Sequence, residues 1–535
     1  MLKVWFCGNS TIPYRGPNLP RQWLCFVVWL LVLPVLVLAF VGSTWLSPMR
    51  RPSVSQDDEI AILLQKYGFL TNKTKFGDTL IPTSWAEMHS PLGPDIFKLE
   101  RAVQILNCSI DLKAPNTSND MPIPPSANNE GQTNIAGSSY NVFEECPPYF
   151  NWIDKDLAPW KESRISRGTL ELGKKHAAFT AIILKGTLYI DLYYACFQTR
   201  LLYTLWGLLL LLEKYQNKIP DVEFLFNCWD SPKVKINPNL AIPLFSYCSN
   251  HEYYDIPWPD WSFWGWSECQ MESWDQEFDK IAMGSKRKDW REKDKKAYWR
   301  GNPFVGGGRA IFREQLLSCH STIDNPKVDI VIQDWDKELS IGKRNSKLED
   351  QCTHRYMVYV EGVTWSVSLK YIMACGSTTM VVSPSYYDFF QRGLQPGVHY
   401  IQVQPNESCV SKLCQKLNDL VNNAELNPLM GQAIGEAGQA FVQKELSMDK
   451  VYDYMYHLLV KYAQLQEFQP SISRSAHLVT QDYILCLAQP LQKLLMKQAR
   501  KHMSSNVIPC TMSKDITQIF KDYGWETYKP ANKKC

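Results

Sequence analysis

The stretch EGVTWSVSLKYIMACGSTTMVVS, residues 361–383, decides the fold class. It leaves a glycine turn at Gly362, enters a helical stretch over Ser366–Ala374 and passes into the β-rich run Thr379–Ser383. A helix set between such a turn and a run of β-branched residues marks one unit of an α/β layer. Outward from it the alternation recurs. Val222–Cys228 (VEFLFNC), Val328–Gln333 and His399–Val403 read as short strands, and helices are expected near Ser411–Asn423 and Met430–Tyr462. Leu201–Leu212 is strongly apolar but too short for a bilayer, so it predicts a buried helix. From Phe143 onward this pattern predicts α/β layers around parallel sheets, in two Rossmann-like halves rather than one.

Composition sets the limits. The chain has 535 residues, 45% hydrophobic and 21% charged, which fits neither global disorder nor a polytopic membrane protein. A net charge of +3 gives no electrostatic case for a nucleic-acid binder. From Trp23 to Gly42 there is no charged residue, and at about 1.5 Å per residue that run spans a hydrocarbon core of about 30 Å. It is longer than the apolar part of a cleavable signal, about 7–15 residues, and predicts an uncleaved signal anchor with residues 1–22 as a cytosolic tail. The sequons at Asn72, Asn107, Asn116 and Asn406 all follow it, as do all but Cys7 and Cys25 of the 16 cysteines. A lumenal body with several disulfides is expected, Cys409 and Cys414 being close enough to form a small loop. The outline is that of a type II protein of the Golgi or endoplasmic reticulum membrane. Residues 43–142 read as a stem, and the Pro-, Asn- and Ser-rich part 111–140 as flexible. The run KRKDWREKDKK (286–296) predicts a solvated helix face between the halves. A C-terminal extension, 466–535, holds an expected amphipathic helix over Tyr483–Met496.

Three places carry chemistry. Tyr298–Pro303 (YWRGNP) leads through Gly306–Gly308 to Arg309 and a helix-like segment. A glycine-rich turn opening a helix offers free N–H groups to a phosphate, and Arg300 and Arg309 add planar donors suited to a diphosphate. A flexible loop with solvated arginines is the plainer alternative. The opening stretch, with Val363, Trp365, Ser366, Ser368 and Lys370, makes a second anion-friendly helix start, against an ordinary capped helix with Trp365 in the core. Two D-x-D triplets, Asp154–Asp156 and Asp334–Asp336, suit a divalent metal in some sugar-nucleotide enzymes, while Asp156 before Leu157-Ala158-Pro159-Trp160 also fits a single general base at a turn. Most aspartates are surface residues or helix caps. Metalloprotease, P-loop and esterase motifs are absent from the sequence.

On these residues the chain resembles glycosyltransferase family 90: the Rumi-type protein O-glucosyltransferases, the fungal capsule-associated xylosyltransferases and, more narrowly, the plant branch. The resemblance runs from about Cys146 to Gln464. It rests on DKDLAPW (154–160), PDVEFLFNCWDSP (220–232), AIPLFSYCSNHEYYDIPWPDWSFW (241–264), AYWRGNP, VYVEGVTWSVSLKYIMACGS (358–377), YYDFFQRGLQPGVHYIQV (386–403) and IGEAGQAFVQKELSMDKVYDYMY (434–456). It implies a GT-B fold with an acceptor-side half at 143–285, a donor-binding half at 286–465, and a cleft between them. It further implies inverting transfer of glucose or xylose from a UDP-sugar, without metal or other cofactor, to a protein or glycan hydroxyl. Asp156 falls on the family's catalytic base, which leaves Asp154 a bystander. Asp230 falls beside the sugar and acceptor pocket, Asn302 and Arg309 on the donor loop, and Val363 to Ser368 on the segment gripping the nucleotide. Arg300 is added from its position in the same turn. Where the animal enzymes carry an arginine in the diphosphate segment this chain has Ser368, which moves leaving-group stabilisation to Arg309, Arg300 or Lys370. A metal-dependent transferase using Asp154 with Asp156, or a lumenal sugar-binding protein without turnover, are the rival readings.

Overall fold

The computed structural model describes residues 144–305, 311–319, 326–334, 337–338, 347–404 and 412–512. The expected anchor 23–42, the tail and stem, the sequons at Asn72, Asn107, Asn116 and Asn406, the glycines 306–308, Arg309, Asp336 and Cys409 lie outside the described residues. Among the described residues no helix is long and apolar enough to cross a membrane.

The architecture is mixed α/β, around two sheets. The first contains β1 (Phe179–Leu184), β2 (Thr187–Leu192), β3 (Val222–Asn227), β4 (Leu244–Ser246), β5 (Ile256–Pro257) and, from far along the chain, β11 (His477–Val479), in the order β11-β2-β1-β3-β4-β5. Its parallel part, β3-β4-β5, continues into an antiparallel part. The hairpin β1–β2 closes over Lys185 and Gly186, both at positive φ (50° and 74°), the backbone that a two-residue hairpin turn needs to match strand twist. The first sheet is thus not the purely alternating half expected from the sequence.

The second sheet is wholly parallel. It holds β6 (Asp294–Gly301), β7 (Val328–Ile332), β8 (His354–Tyr359), β9 (Thr378–Val382) and β10 (Ile401–Val403), in the order β10-β9-β8-β6-β7. Counted from its first strand this is 2-1-3-4-5, a doubly wound order whose direction reverses between β6 and β8.

The helices, in chain order, are α1 (Trp152–Asp156), α2 (Arg167–Gly173), α3 (Arg200–Lys214), α4 (Trp274–Ser285), α5 (Ile311–Leu317), α6 (Ser368–Ala374), α7 (Leu413–Leu426), α8 (Pro428–Lys444), α9 (Met448–Leu465), α10 (Gln481–Leu487) and α11 (Pro490–His502). In the second sheet α7 packs on β6 and β7 beside α5, while α6 and α8 pack on β8 and β9. Helix α3 is the buried helix that its apolar run predicts. Gly207 on it lets the Trp264 ring lie flat against the backbone, because a Cβ there would come within 2.3 Å of Trp264. Helix α9 returns to the first sheet, where Tyr462 meets the Phe245 ring edge-on and the Tyr454 hydroxyl donates to the Pro257 carbonyl.

Several expectations change at this level. The basic run 286–296 is not a helix face: a short turn at Trp290–Glu292 passes into β6, and Lys293 is buried, donating to Ser377 Oγ and the Cys375 carbonyl. Desolvation lowers its pKa to about 8. Met430–Tyr462 contains parts of two helices, because the chain turns between Lys444 and Met448. Tyr483–Met496 is also broken, since Pro490 cannot continue α10 and instead opens α11. Cys414 is bonded to Cys319, not to Cys409. Further disulfides join Cys146 to Cys510, Cys196 to Cys228 and Cys352 to Cys375.

Candidate active site

The reversal of strand order brings together the loops that follow β6 and β8. Parallel strands point their carboxyl ends the same way, so loops leaving neighbouring strands on opposite faces open a crevice between them. One guanidinium ties the two loops. Arg313, on α5, donates to the carbonyls of Glu361 (2.9 Å), Asn302 (3.1 Å) and Val360 (3.2 Å). Its burial pulls its pKa down to about 10, against the pull of Tyr359 and Glu361. Asn302 also accepts through Oδ1 from the Phe304 N–H, which tightens the turn after β6.

Beyond Gly362 the second loop reaches the start of α6. The Ser366 N–H donates to the Tyr359 hydroxyl, and the hydroxyls of Ser366 and Ser368 lie 2.9 Å apart. Trp365 is buried, its ring facing Tyr247 and Trp261, while Val363 is only partly buried. Thr364 donates its hydroxyl to the backbone carbonyl of Asp230, so this loop touches the loop leaving β3. There the Asp230 carboxylate meets Arg200 at 2.8 Å and stays 40% exposed, which leaves it open to a ligand. Arg200 itself is buried, stacked over Trp261.

A strap after β9, residues 383–395, joins these loops to Asp156. Glu361 accepts the N–H groups of Ser385 and Tyr386 through Oε1 (2.6 and 2.7 Å). Tyr387 then exchanges both backbone hydrogen bonds with Ser249, at the loop leaving β4. At its far end, Arg392 donates from Nη1 to Asp156 Oδ1 (2.8 Å) and from Nη2 to Oδ2 (2.5 Å). Asp156 is the last residue of α1, and its side chain is 9% exposed.

The sequence-derived residues therefore fall into groups. Asp156, Asp230, Asn302, Val363, Trp365, Ser366 and Ser368 belong to this train of loops. Arg300, at the end of β6, turns toward the loop after β7, donating to Gln333 Oε1 (2.6 Å) and pairing with Glu338 (3.4 Å). Lys370 points into the core: its ammonium donates to Ser262 Oγ (2.7 Å), lies 3.5 Å from Asp260 and sits over the Phe263 ring. Burial lowers its pKa against the pull of Asp260 and Asp388. Its place is that of a buried cation packed on Asp260, Ser262 and Phe263. The Asp154 carboxylate takes both its contacts from Lys461 (2.7 and 2.6 Å), so Asp154 and Asp156 hold separate cations instead of forming one carboxylate cage. Among the described residues the cluster with metal-ligand spacing is Cys146, His457 and Cys510, and its two sulfurs form a disulfide.

Arg313, Glu361, Tyr387 and Arg392 carry this geometry without having been singled out from the sequence. The aromatic run YYDFF before Gln391-Arg392 is the local signal for the strap, but its partner lies 236 residues away. A cavity of about 390 Å³ lined by Trp206, Glu213, Leu485, Lys497, Arg500 and Lys501 shares no residue with these loops.

Comparison with known proteins comes to the same region. The profile of Glycosyl transferase family 90 matches residues 141–523. Protein O-glucosyltransferase 1 of Homo sapiens is 27% identical over 377 residues, 64% of this chain and 90% of the relative. O-glucosyltransferase rumi of Drosophila melanogaster is 24% identical, covering 61% of this chain and 79% of the relative. Protein O-glucosyltransferase 2 of Danio rerio is 27% identical over 64% of this chain and 68% of the relative.

Proposed function

The chain belongs to glycosyl transferase family 90 and is a glycosyltransferase, and from that premise we propose its reaction. It moves glucose or xylose from a UDP-sugar to a hydroxyl of a protein or glycan, with inversion and without a metal. Asp156 takes the acceptor's proton while the acceptor oxygen bonds to the anomeric carbon. The bond from that carbon to the diphosphate breaks, and its electron pair leaves with UDP. A positioned general base of this kind contributes about 10²–10⁴-fold.

The departing charge meets the crevice between β6 and β8. Asn302, Val363, Ser366 and Ser368 line the donor side, Trp365 backs it, and Arg309 supplies positive charge. Preorganised donors at a developing anion are worth several kcal/mol in such sites. Asp230, with its exposed carboxylate, accepts from a sugar hydroxyl. The observation that carries this reading is the strap: the loops after β3, β4 and β8 and the Asp156 carboxylate are joined by consecutive hydrogen bonds. A doubly wound parallel sheet on one side supports a GT-B arrangement, with the cleft between the two sheets as the reaction site.

The reaction takes place in the lumen of the Golgi or endoplasmic reticulum, with residues 23–42 as a type II anchor. Disulfides in the described body support an oxidising compartment. The relatives are named as protein O-glucosyltransferases, which favours glucose and a protein acceptor over xylose and a glycan.

The test is release of UDP from a panel of UDP-sugars by the full chain made in a eukaryotic host, with chelator present, beside Asp156→Asn. Turnover of UDP-glucose or UDP-xylose that resists chelation and is lost in Asp156→Asn is expected. Chelation that abolishes turnover, or a fully active Asp156→Asn, overturns the mechanism.

A further inference from the structure

We infer that Arg392 is the positioning residue for the base, a planar fork that fixes the plane and direction of the Asp156 carboxylate inside a closely packed wall. This rests on the reading of Asp156 as the base. The contact is bidentate, Nη1 to Oδ1 and Nη2 to Oδ2, with the two side chains only 3% and 9% exposed. A carboxylate buried this far is costly as an anion unless a cation is at hand, and a bidentate guanidinium supplies charge and direction together.

The fork is itself held on both faces. The guanidinium carbon lies 4.3 Å from the centre of the Trp152 ring and 4.1 Å from that of Tyr387. Trp152 is the first residue of the helix that ends at Asp156, so the cation and its carboxylate are gripped by one element. Behind them, Asp388 Oδ1 accepts the N–H groups of Phe390 and Gln391, which shapes the turn bearing Arg392. Gly393 presses this turn on Tyr149, where a Cβ would come within 2.8 Å of the tyrosine side chain. Nothing in that packing allows the guanidinium to swing away without moving α1.

The chemical consequence concerns lone pairs. The fork occupies one lone pair on each carboxylate oxygen, on the edge facing the strap. Proton uptake must use a remaining lone pair, so the fork determines from which side an acceptor hydroxyl approaches. Lysine, a point charge with no fixed plane, cannot reproduce this. The titratable groups facing the pair are Tyr387 on the strap and Tyr454 on α9, while Asp154 is held by Lys461 and Asp388 acts on Tyr454. Burial alone lowers the Arg392 pKa; the Asp156 charge overrides it and the net shift is upward.

The experiment measures UDP release by the full chain against pH for Arg392→Lys, Arg392→Met and Arg392→Ala, beside Asp156→Asn. UDP affinity and thermal unfolding are measured on each. Arg392→Lys and Arg392→Met are expected to lose kcat on the order of 10²-fold, the cost of misplacing a reacting group by about an ångström, with KM for the donor within about twofold. Added guanidinium restores part of the activity of Arg392→Ala. An Arg392→Met protein that turns over normally overturns the inference. So does loss of UDP affinity in step with kcat in all three variants, which marks a packing residue. Full activity in Asp156→Asn instead sinks the base assignment, and the two failures are thereby told apart.

Discussion

The two sides of the candidate site are built from different materials. On the side of the first sheet the polar groups are carboxylates, each matched to an arginine that stacks on aromatic rings: Asp156 with Arg392 between Trp152 and Tyr387, and Asp230 with Arg200 over Trp261. On the side of the second sheet one buried guanidinium, Arg313, gathers backbone carbonyls and leaves hydroxyls and N–H groups at the loop edges. The first arrangement suits proton transfer, because ionised groups are held at fixed places. The second suits an anion, because a diphosphate needs donors more than bases. Within the first side there is a further contrast, since Asp156 is closed off by a two-pronged partner while Asp230 is met by a single nitrogen and remains 40% exposed.

If the contrast is functional, the largest effect falls on the closed carboxylate. Asp156→Asn is expected to lower UDP release by about 10²–10⁴-fold with UDP affinity unchanged, measured by titration of UDP against the folded variant. Asp230→Asn comes next and is of another kind: loss of one charge-assisted hydrogen bond, about 1.5–3 kcal/mol, appears mainly as a tenfold or greater rise in KM for the donor. Equal losses of kcat in the two variants would erase the distinction between them. Thr364→Val tests the seam between the sides. It removes a neutral hydrogen bond to the Asp230 carbonyl, worth about 0.5–1.5 kcal/mol net, and should raise KM by two- to tenfold.

The smallest effect on turnover comes with a pH dependence of stability on the second side. The folded pKa of Lys293 lies at about 8, below its ordinary 10.5, because of desolvation. Between those values the unfolded chain holds the proton that the folded chain has released, so stability contributed by this group rises with pH across that window. Lys293→Met should flatten the rise in Tm from pH 8 to 10.5 relative to the parent chain and leave turnover at pH 7 unchanged. A parallel pair of Tm curves would contradict the burial argument.

The second sheet was the more legible of the two. Val328–Ile332, Thr378–Val382 and Ile401–Val403 announce themselves as β-rich runs between helical stretches, and the apolar run of α3 announces a buried helix. The first sheet was less so: its hairpin turns on Lys185-Gly186, without the Asn-Gly or Asp-Gly signal, and its edge strand comes from residues 477–479. Asp156 and Asp230 stood in quotable motifs. Arg392 stood in one too, within residues 386–403, but its role did not show there, because an ion pair between residues 236 apart leaves no local period or spacing. Lys370 presents the converse case. Two residues beyond Ser368 it looks like a loop cation, yet on α6 that step turns it into the core toward Asp260. The basic run 286–296 misled in the same way, because charge density alone does not distinguish a helix face from the edge of a strand.

The disulfide between Cys146 and Cys510 sets an order of events in time. Its partners are 364 residues apart, so the bond cannot close until nearly the whole body has been synthesised. At about 5–20 residues per second, the first cysteine waits tens of seconds for the second. Strand β11 is made almost as late, while Arg392 is made before either. Both members of the ion pair are therefore made while β11 is still absent from the first sheet and Cys146 still lacks Cys510. A chain released before Cys510 would hold both members of the ion pair in a body that this bond has not locked, and Cys146 should be among the last thiols to pair during oxidative folding.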